Sequence, residues 1–229
     1  MTTILLLPGM DGTGELFRFL IPHLPAGLRT QIVRYPTDST LGYDEIIELV
    51  LAQIPRDDPV IILGESFSGP IAIATAARTS PLALVLVCSF ARSPWPALRP
   101  LRSLVRWLPW PRRIAPPLTS MLLGREPDPA ARAALAVALA AVDPAVLKHR
   151  VSQLLGVDAR AALACVRCPV LDLRATHDRV VPARSTNEVA RIATHAHAVS
   201  LEGPHLLLQA QPERSARALG DFLHSIGTA

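Results

Sequence analysis

Predominantly apolar runs alternate along this chain with stretches in which apolar residues recur every three or four positions. The runs at 2–7, 30–35, 60–63 and 82–88 read as buried strands. Between them, Leu16, Phe17, Leu20, Ile21 and Leu24 mark one face of a helix, and Ile46, Ile47, Val50, Leu51 and Ile54 mark the face of a second, over 43–54. A third, alanine- and isoleucine-rich, runs from 71 to 78. Strands apolar on both sides, each followed by a helix, predict a parallel sheet covered on both faces. The alternation stops at 92–163, a proline-rich stretch holding all three tryptophans, Trp95, Trp107 and Trp110. Helices are predicted there at 129–142 and 144–155, each opening on a proline. Alternation then resumes with a strand at 169–175, a helix at 183–194, a strand at 196–201 and a final amphipathic helix at 212–226. The expected architecture is three-layer α/β with a mainly parallel sheet. Its core comes in two parts, 1–90 and 164–229, with a helical cap inserted at 91–163.

Composition fits this picture and removes several function classes. A chain of 229 residues holds one domain, with room for a small insertion. A hydrophobic fraction of 50% and a mean hydropathy of +0.31 indicate a large core and exclude a disordered chain. No apolar run reaches the roughly 18–20 residues of a membrane span; the longest candidate, 133–142, is alanine-rich and too short. No basic segment precedes the first strand, so no signal peptide is expected and the cytoplasm is the expected location. Cys88, Cys165 and Cys168 are an odd number with no signal peptide expected, which argues against a disulfide scaffold, and the Cys165–Cys168 pair lacks the second pair that a zinc site needs. The net charge of +4 is carried by arginine, Lys148 being the single lysine, and no nucleic-acid motif accompanies it. Six arginines and no acid fall within 92–113. They read first as a solvated face, with a platform for an anionic substrate or carrier as the alternative.

The candidate chemistry begins where the third strand stops. In Gly64-Glu65-Ser66-Phe67-Ser68-Gly69 a serine is lodged between strand and helix. This is the layout of a nucleophile elbow, which strains the serine backbone and presents its hydroxyl at the carboxyl end of the sheet. Ser68 stands where the G-x-S-x-G pattern has its second glycine and is small enough to be tolerated. On this stretch alone an ordinary strand–loop–helix stays open. The first strand ends in the glycine-rich Pro8-Gly9-Met10-Asp11-Gly12-Thr13-Gly14, which has neither a dinucleotide fingerprint nor a P-loop lysine. Such a loop can aim backbone N–H groups at the serine, or be a plain tight turn. Asp178 and His205 each follow a strand end as well. A serine needs a base to take its proton, and the base needs an acid to fix its tautomer. The chain order Ser66, Asp178, His205 matches one arrangement of these three roles.

These segments together resemble the α/β-hydrolase superfamily, among its small capped bacterial serine esterases. The resemblance covers most of the core and rests on Leu7-Pro8-Gly9-Met10-Asp11-Gly12, Gly64-Glu65-Ser66-Phe67-Ser68-Gly69, His177-Asp178-Arg179-Val180-Val181-Pro182 and Gly203-Pro204-His205. It implies Ser66 as nucleophile, His205 as general base and Asp178 as acid. It also implies an oxyanion hole made by the backbone N–H groups of Met10 and Phe67, with no cofactor and no metal. Pro8-Gly9 replaces the frequent His-Gly, which leaves the backbone donor in place. The antiparallel edge hairpin of many members has no counterpart, so six parallel strands are expected, with the 2–7 strand between those at 30–35 and 60–63. Asp172 lies inside a strand and points away from the site. His177 adjoins the acid, while His23, His149, His195, His197 and His224 have no motif around them, and Ser68 sits a turn too deep to be the nucleophile.

The leading expectation is a carboxylesterase or thioesterase acting through an acyl-enzyme. Its substrate would be a small ester or thioester, with a medium-length acyl group or as a hydrophobic ester, free or delivered on an acyl carrier protein. An acyltransferase or carbon–carbon bond hydrolase with the same triad is a second reading. A catalytically silent binding protein on the same fold is a third.

Overall fold

Six strands lie side by side at the centre of the computed structural model, which describes residues 1–107 and 116–227, the four inner ones largely buried and the two edge ones partly exposed. They are β1 (Thr2–Leu7), β2 (Leu28–Ile32), β3 (Val60–Glu65), β4 (Ala83–Val87), β5 (Val170–Ala175) and β6 (Ala196–Leu201). All pair in parallel, in the order β2-β1-β3-β4-β5-β6. As expected, β1 lies between β2 and β3. Side chains alternate between two apolar layers. Leu5, Leu7, Ile62 and Leu84 meet Ile46, Val50 and Ile71 of α1 (Tyr43–Leu51) and α2 (Gly69–Thr79) on one face. Ile4, Leu6, Ile61 and Leu63 meet Phe17, Leu20, Leu219 and Phe222 on the other. The strand order reverses between β1 and β3, and it is at such a switch point that an open parallel sheet leaves a crevice beyond its strand ends.

Two expected elements differ. The periodic segment at 16–24 is two 3-10 turns, Glu15–Arg18 and Ile21–His23, instead of one α-helix. Pro22 has no N–H to continue a helix, so the apolar face is buried without the regular ladder. The second strand begins at Leu28 and ends at Ile32, earlier than its apolar run suggests. Val33 still donates to the Leu6 carbonyl, but Tyr35 donates to that of Gly12 (2.8 Å), so the chain here supports the glycine-rich loop.

Between β4 and β5 the chain leaves the sheet and returns to the same place. Ser93 N–H donates to the Val157 carbonyl (3.0 Å) and Ala159 N–H to that of Ala91 (2.7 Å). Inside this loop lie 3-10 turns over Pro96–Trp107, then α3 (Pro116–Leu123), α4 (Pro129–Ala140), α5 (Pro144–Gly156) and α6 (Arg160–Cys165). The starts of α4 and α5 follow from the repeated Asp-Pro-Ala: Asp128 and Asp143 accept from the first free N–H groups, and proline takes the position that needs none. Leu98, Leu101, Leu104 and Trp107 are exposed at every third position, and therefore line up along one side of the 3-10 segment. Trp110, Arg112 and Arg113 lie outside the described residues. The core closes with α7 (Ala183–Ile192), the short α8 (Leu207–Ala210) and α9 (Pro212–Ser225). No single described helix is long and apolar enough to cross a membrane. All three cysteines are free.

Candidate active site

The turn from β3 into α2 is so tight that its small residues are dictated by contact. A Cβ on Gly64 would lie 2.7 Å from that of Ala72 and 2.8 Å from the Ser68 carbonyl oxygen. One on Gly69 would lie 1.7 Å from Ser89 Oγ. Ser66 sits at the apex with φ of 51°, a left-handed backbone that L-residues adopt only at a cost. Its surroundings hold that strain: Ser89 donates to the Ser66 carbonyl (2.6 Å), and the Tyr43 hydroxyl to the Phe67 carbonyl (3.2 Å).

Ser66 Oγ lies 2.8 Å from Nε2 of His205, and Nδ1 of His205 lies 2.8 Å from Oδ2 of Asp178. The other oxygen of Asp178 accepts from the N–H groups of Val180 and Val181, both at 2.8 Å. A carboxylate only accepts, so Nδ1 of His205 carries the proton, and the lone pair of Nε2 is left facing the serine hydroxyl. His205 is buried, while Ser66 stays partly open to solvent. The histidine loop is fixed on two sides, by His177 N–H on the Gly203 carbonyl (3.0 Å) and by Leu206 N–H on the Leu122 carbonyl of α3 (2.8 Å).

Ser68 does more than fit. Its buried hydroxyl donates to the Pro8 carbonyl and so ties the elbow to the glycine-rich loop. Having spent its proton there, it accepts from the Tyr35 hydroxyl at 2.6 Å. In that loop Gly12 N–H donates to the Gly9 carbonyl (3.0 Å), closing a turn. The Gly9–Met10 peptide places its C=O inside this turn and therefore its N–H outside. Arg150, from α5, holds the same turn by its carbonyls. It is 1% exposed, and donates through Nη1 to the Met10 and Asp11 oxygens (both 2.8 Å) and through Nη2 to that of Pro36 (2.7 Å). Ser68, Tyr35 and Arg150 were not legible as site residues, because each acts through partners far away in the chain.

Glu65, beside the serine, is also buried. Burial pushes its carboxyl from 4.5 up to about 8, the charge of Asp11 adds to this, and the neighbouring Gln209 amide pulls it back only in part. Glu65 is therefore protonated in the native protein at neutral pH. In the unfolded chain the carboxyl ionises near 4.5, so between that pH and about 8 the native state holds a proton that the unfolded state has released. Stability falls as pH rises through this window, by about 1.4 kcal/mol per pH unit at most. Glu65→Gln removes the slope, as urea midpoints between pH 5 and 8.5 would report.

The other candidates fall elsewhere. Asp172 is buried in β5 and paired with Arg174 at 2.7 Å, away from the strand ends. His195 contacts the Cys168 carbonyl, and His197 lines an open groove of about 300 Å³ with Val199, Leu201 and Phe222 at the β6 edge, a groove that includes none of Ser66, Asp178 and His205. Among the described residues no cluster of His, Cys, Asp or Glu could hold a metal ion. Of the basic stretch, Arg92 is paired with Glu188 at 3.3 Å, whereas Arg99 and Arg102 are exposed.

A sequence profile described as the alpha/beta hydrolase family matches residues 4–218. The chain belongs to that family. It is thus a hydrolase of the α/β-hydrolase superfamily, and its six-stranded parallel sheet is that fold. Over 243 aligned positions it is 28% identical to the pimeloyl-[acyl-carrier protein] methyl ester esterase of Sodalis glossinidius, covering 96% of this chain and 92% of that protein. It is 32% identical over 117 residues to phytyl ester synthase 1, chloroplastic, of Arabidopsis thaliana; that match takes in 45% of this chain but only 16% of the longer plant protein. Among solved structures, MenH from S. aureus superposes with a TM-score of 0.80 at 14% identity, covering 98% of this chain and 94% of that one, a likeness of fold.

Proposed function

We propose that this family member is a serine hydrolase that cleaves a carboxylic ester or thioester through Ser66, His205 and Asp178. The observation that carries the proposal is the unbroken line from Ser66 Oγ to His205 Nε2 and from His205 Nδ1 to Asp178 Oδ2, each step 2.8 Å. In this mechanism Ser66 Oγ attacks the acyl carbonyl as Nε2 of His205 takes its proton. The N–H groups of Met10 and Phe67 receive the oxyanion of the tetrahedral intermediate. His205 returns the proton to the departing alcohol or thiol, and water then releases the acyl group by the same route. No step calls for a cofactor.

The segment 91–163 acts in this reading as a cap over the site. Met10 and Leu139 pack against Val142, Val146 and Leu147, a cluster that would border an acyl chain bound at the serine. The Sodalis relative is named for an ester carried on an acyl carrier protein, and the exposed Arg99 and Arg102 beside Leu98, Leu101 and Leu104 fit an acidic carrier of that kind. The plant relative is named as an ester synthase, which supports a second reading in which an alcohol, not water, takes the acyl group. Turnover with and without added alcohol separates the two. A silent binding protein is disfavoured because all three side chains are present and aligned.

The decisive test is labelling by a fluorophosphonate probe, together with turnover of p-nitrophenyl esters from short to long chain. Wild type is expected to label and to favour one chain length, and Ser66→Ala to do neither. A folded wild type that neither labels nor turns over any ester overturns the catalytic reading and favours the binding protein.

A further inference from the structure

We infer that Arg150 is a positioning residue, a guanidinium lent by the inserted segment that sets the loop meant to receive the oxyanion. This role presupposes the serine hydrolase reading above. Arg150 heads the fully buried side chains by size, and none of its hydrogen bonds goes to a carboxylate. Taking a cation out of water is expensive, and burial does lower the pKa of this one, with the charge of Asp11 acting the other way. A core that needed only filling would be better served by an apolar side chain of the same volume. What a guanidinium supplies is a rigid planar fork. Here it grips consecutive carbonyls, those of Met10 and Asp11, with one nitrogen, and with the other the Pro36 carbonyl on the adjoining segment.

That grip settles how the turn faces. The Gly9 carbonyl is engaged within the turn, so the Met10 N–H points out of it, and Arg150 fixes the next two peptide planes from behind. Gly12 completes the fit: its φ is +72°, and a Cβ there would lie 2.7 Å from Arg150 Nη1. Ser68 anchors the same loop one residue before Gly9, through the Pro8 carbonyl. The proposed oxyanion donor is thus braced from the elbow on one side and from α5 on the other. A donor fixed in advance needs no reorganisation when charge develops, which is where such sites gain their rate.

The test compares Arg150→Lys and Arg150→Ala with wild type on a soluble short-chain ester, after thermal melts have confirmed folding. Lysine keeps the charge but cannot span both loops, so Arg150→Lys is expected to lose roughly 10²–10³-fold in kcat, as for a lost oxyanion donor. KM should stay within about threefold, since a brace acting on the transition state is not a substrate contact. Affinity for an alkyl boronic acid, which mimics the tetrahedral state, should fall in parallel with kcat, while affinity for the product carboxylate should not. Added guanidinium ion at millimolar concentration should restore part of the activity of Arg150→Ala. Folded variants with unchanged kcat, or with a change confined to KM, overturn the inference. So does loss of folded protein in both variants, which would mark Arg150 as a residue of stability. Absence of fluorophosphonate labelling in wild type would instead defeat the underlying hydrolase reading, whatever the variants do.

Discussion

His205→Ala is expected to lower kcat for a soluble ester by about 10⁵–10⁶-fold with the fold intact, because in the proposed mechanism His205 is the base that activates the serine hydroxyl. Asp178→Asn is the sharper test of how the site is wired. The Asp178 carboxylate accepts two backbone N–H groups through Oδ1 and faces His205 Nδ1 through Oδ2. An asparagine would keep its carbonyl oxygen toward Val180 and Val181 and turn its NH₂ toward the histidine. Nδ1 would then have to accept, the proton would move to Nε2, and the atom facing Ser66 could no longer take a proton. The expected loss is on the order of 10⁴-fold from a change of one atom. The double variant should be little worse than His205→Ala alone, because the groups act as a unit. Steady-state rates beside circular dichroism and fluorophosphonate labelling check all three. A folded Asp178→Asn variant that keeps more than a tenth of wild-type kcat would show that this carboxylate is not the partner of the base.

The largest effect on stability is expected at Gly64→Ala. The new Cβ would press on Ala72 Cβ at 2.7 Å and on the backbone of Ser68 at 2.8 and 3.1 Å. A flexible side chain could move aside, but a neighbouring backbone cannot without opening the elbow. We expect a loss of at least about 3 kcal/mol, the upper end for overpacking, and loss of probe labelling in whatever fraction still folds. Gly27→Ala is the control. Its φ of +88° also disfavours a side chain, but nothing lies within 4 Å of the added carbon, so roughly 1–2 kcal/mol is expected from backbone strain alone. Urea midpoints for the two variants separate contact from conformation. Similar losses at both positions would refute the claim that strand and helix nearly touch beside Ser66.

The middle of the sheet was legible because its inner strands are buried and largely apolar on both faces and leave little else for those segments to be, whereas the edge strands are partly exposed. The strand ends that bring Ser66, Asp178 and His205 together were legible too, because turns at parallel strand ends carry Gly, Pro, Asp and His in recognisable runs. What escaped was set by partners distant in the chain. Arg150 looks like any arginine of an amphipathic helix until its partners, some 140 and 114 positions earlier, are brought to it by folding. Ser68 looked like a tolerated departure from a pattern, whereas its hydroxyl bonds to the Pro8 carbonyl, 60 residues away. The periodicity at 16–24 correctly gave buried Leu16, Phe17 and Leu20, but Pro22 broke the expected helix into 3-10 turns. Apolar spacing reports which side faces the core, and a single missing N–H decides how the backbone gets there.

The route of Arg150 also bears on how such a protein diversifies. An inserted segment that only roofed the site would be exchangeable among relatives, as a replaceable part of the architecture. The segment between β4 and β5 also holds the glycine-rich loop, through Arg150. A chimera that took another member's insertion between β4 and β5 would leave the carbonyls of Met10, Asp11 and Pro36 without their donor, and would have to find a new shape for the turn at Gly12. Arg150 and Gly12 are therefore expected to be exchangeable only together, although they lie in two distant stretches of the chain.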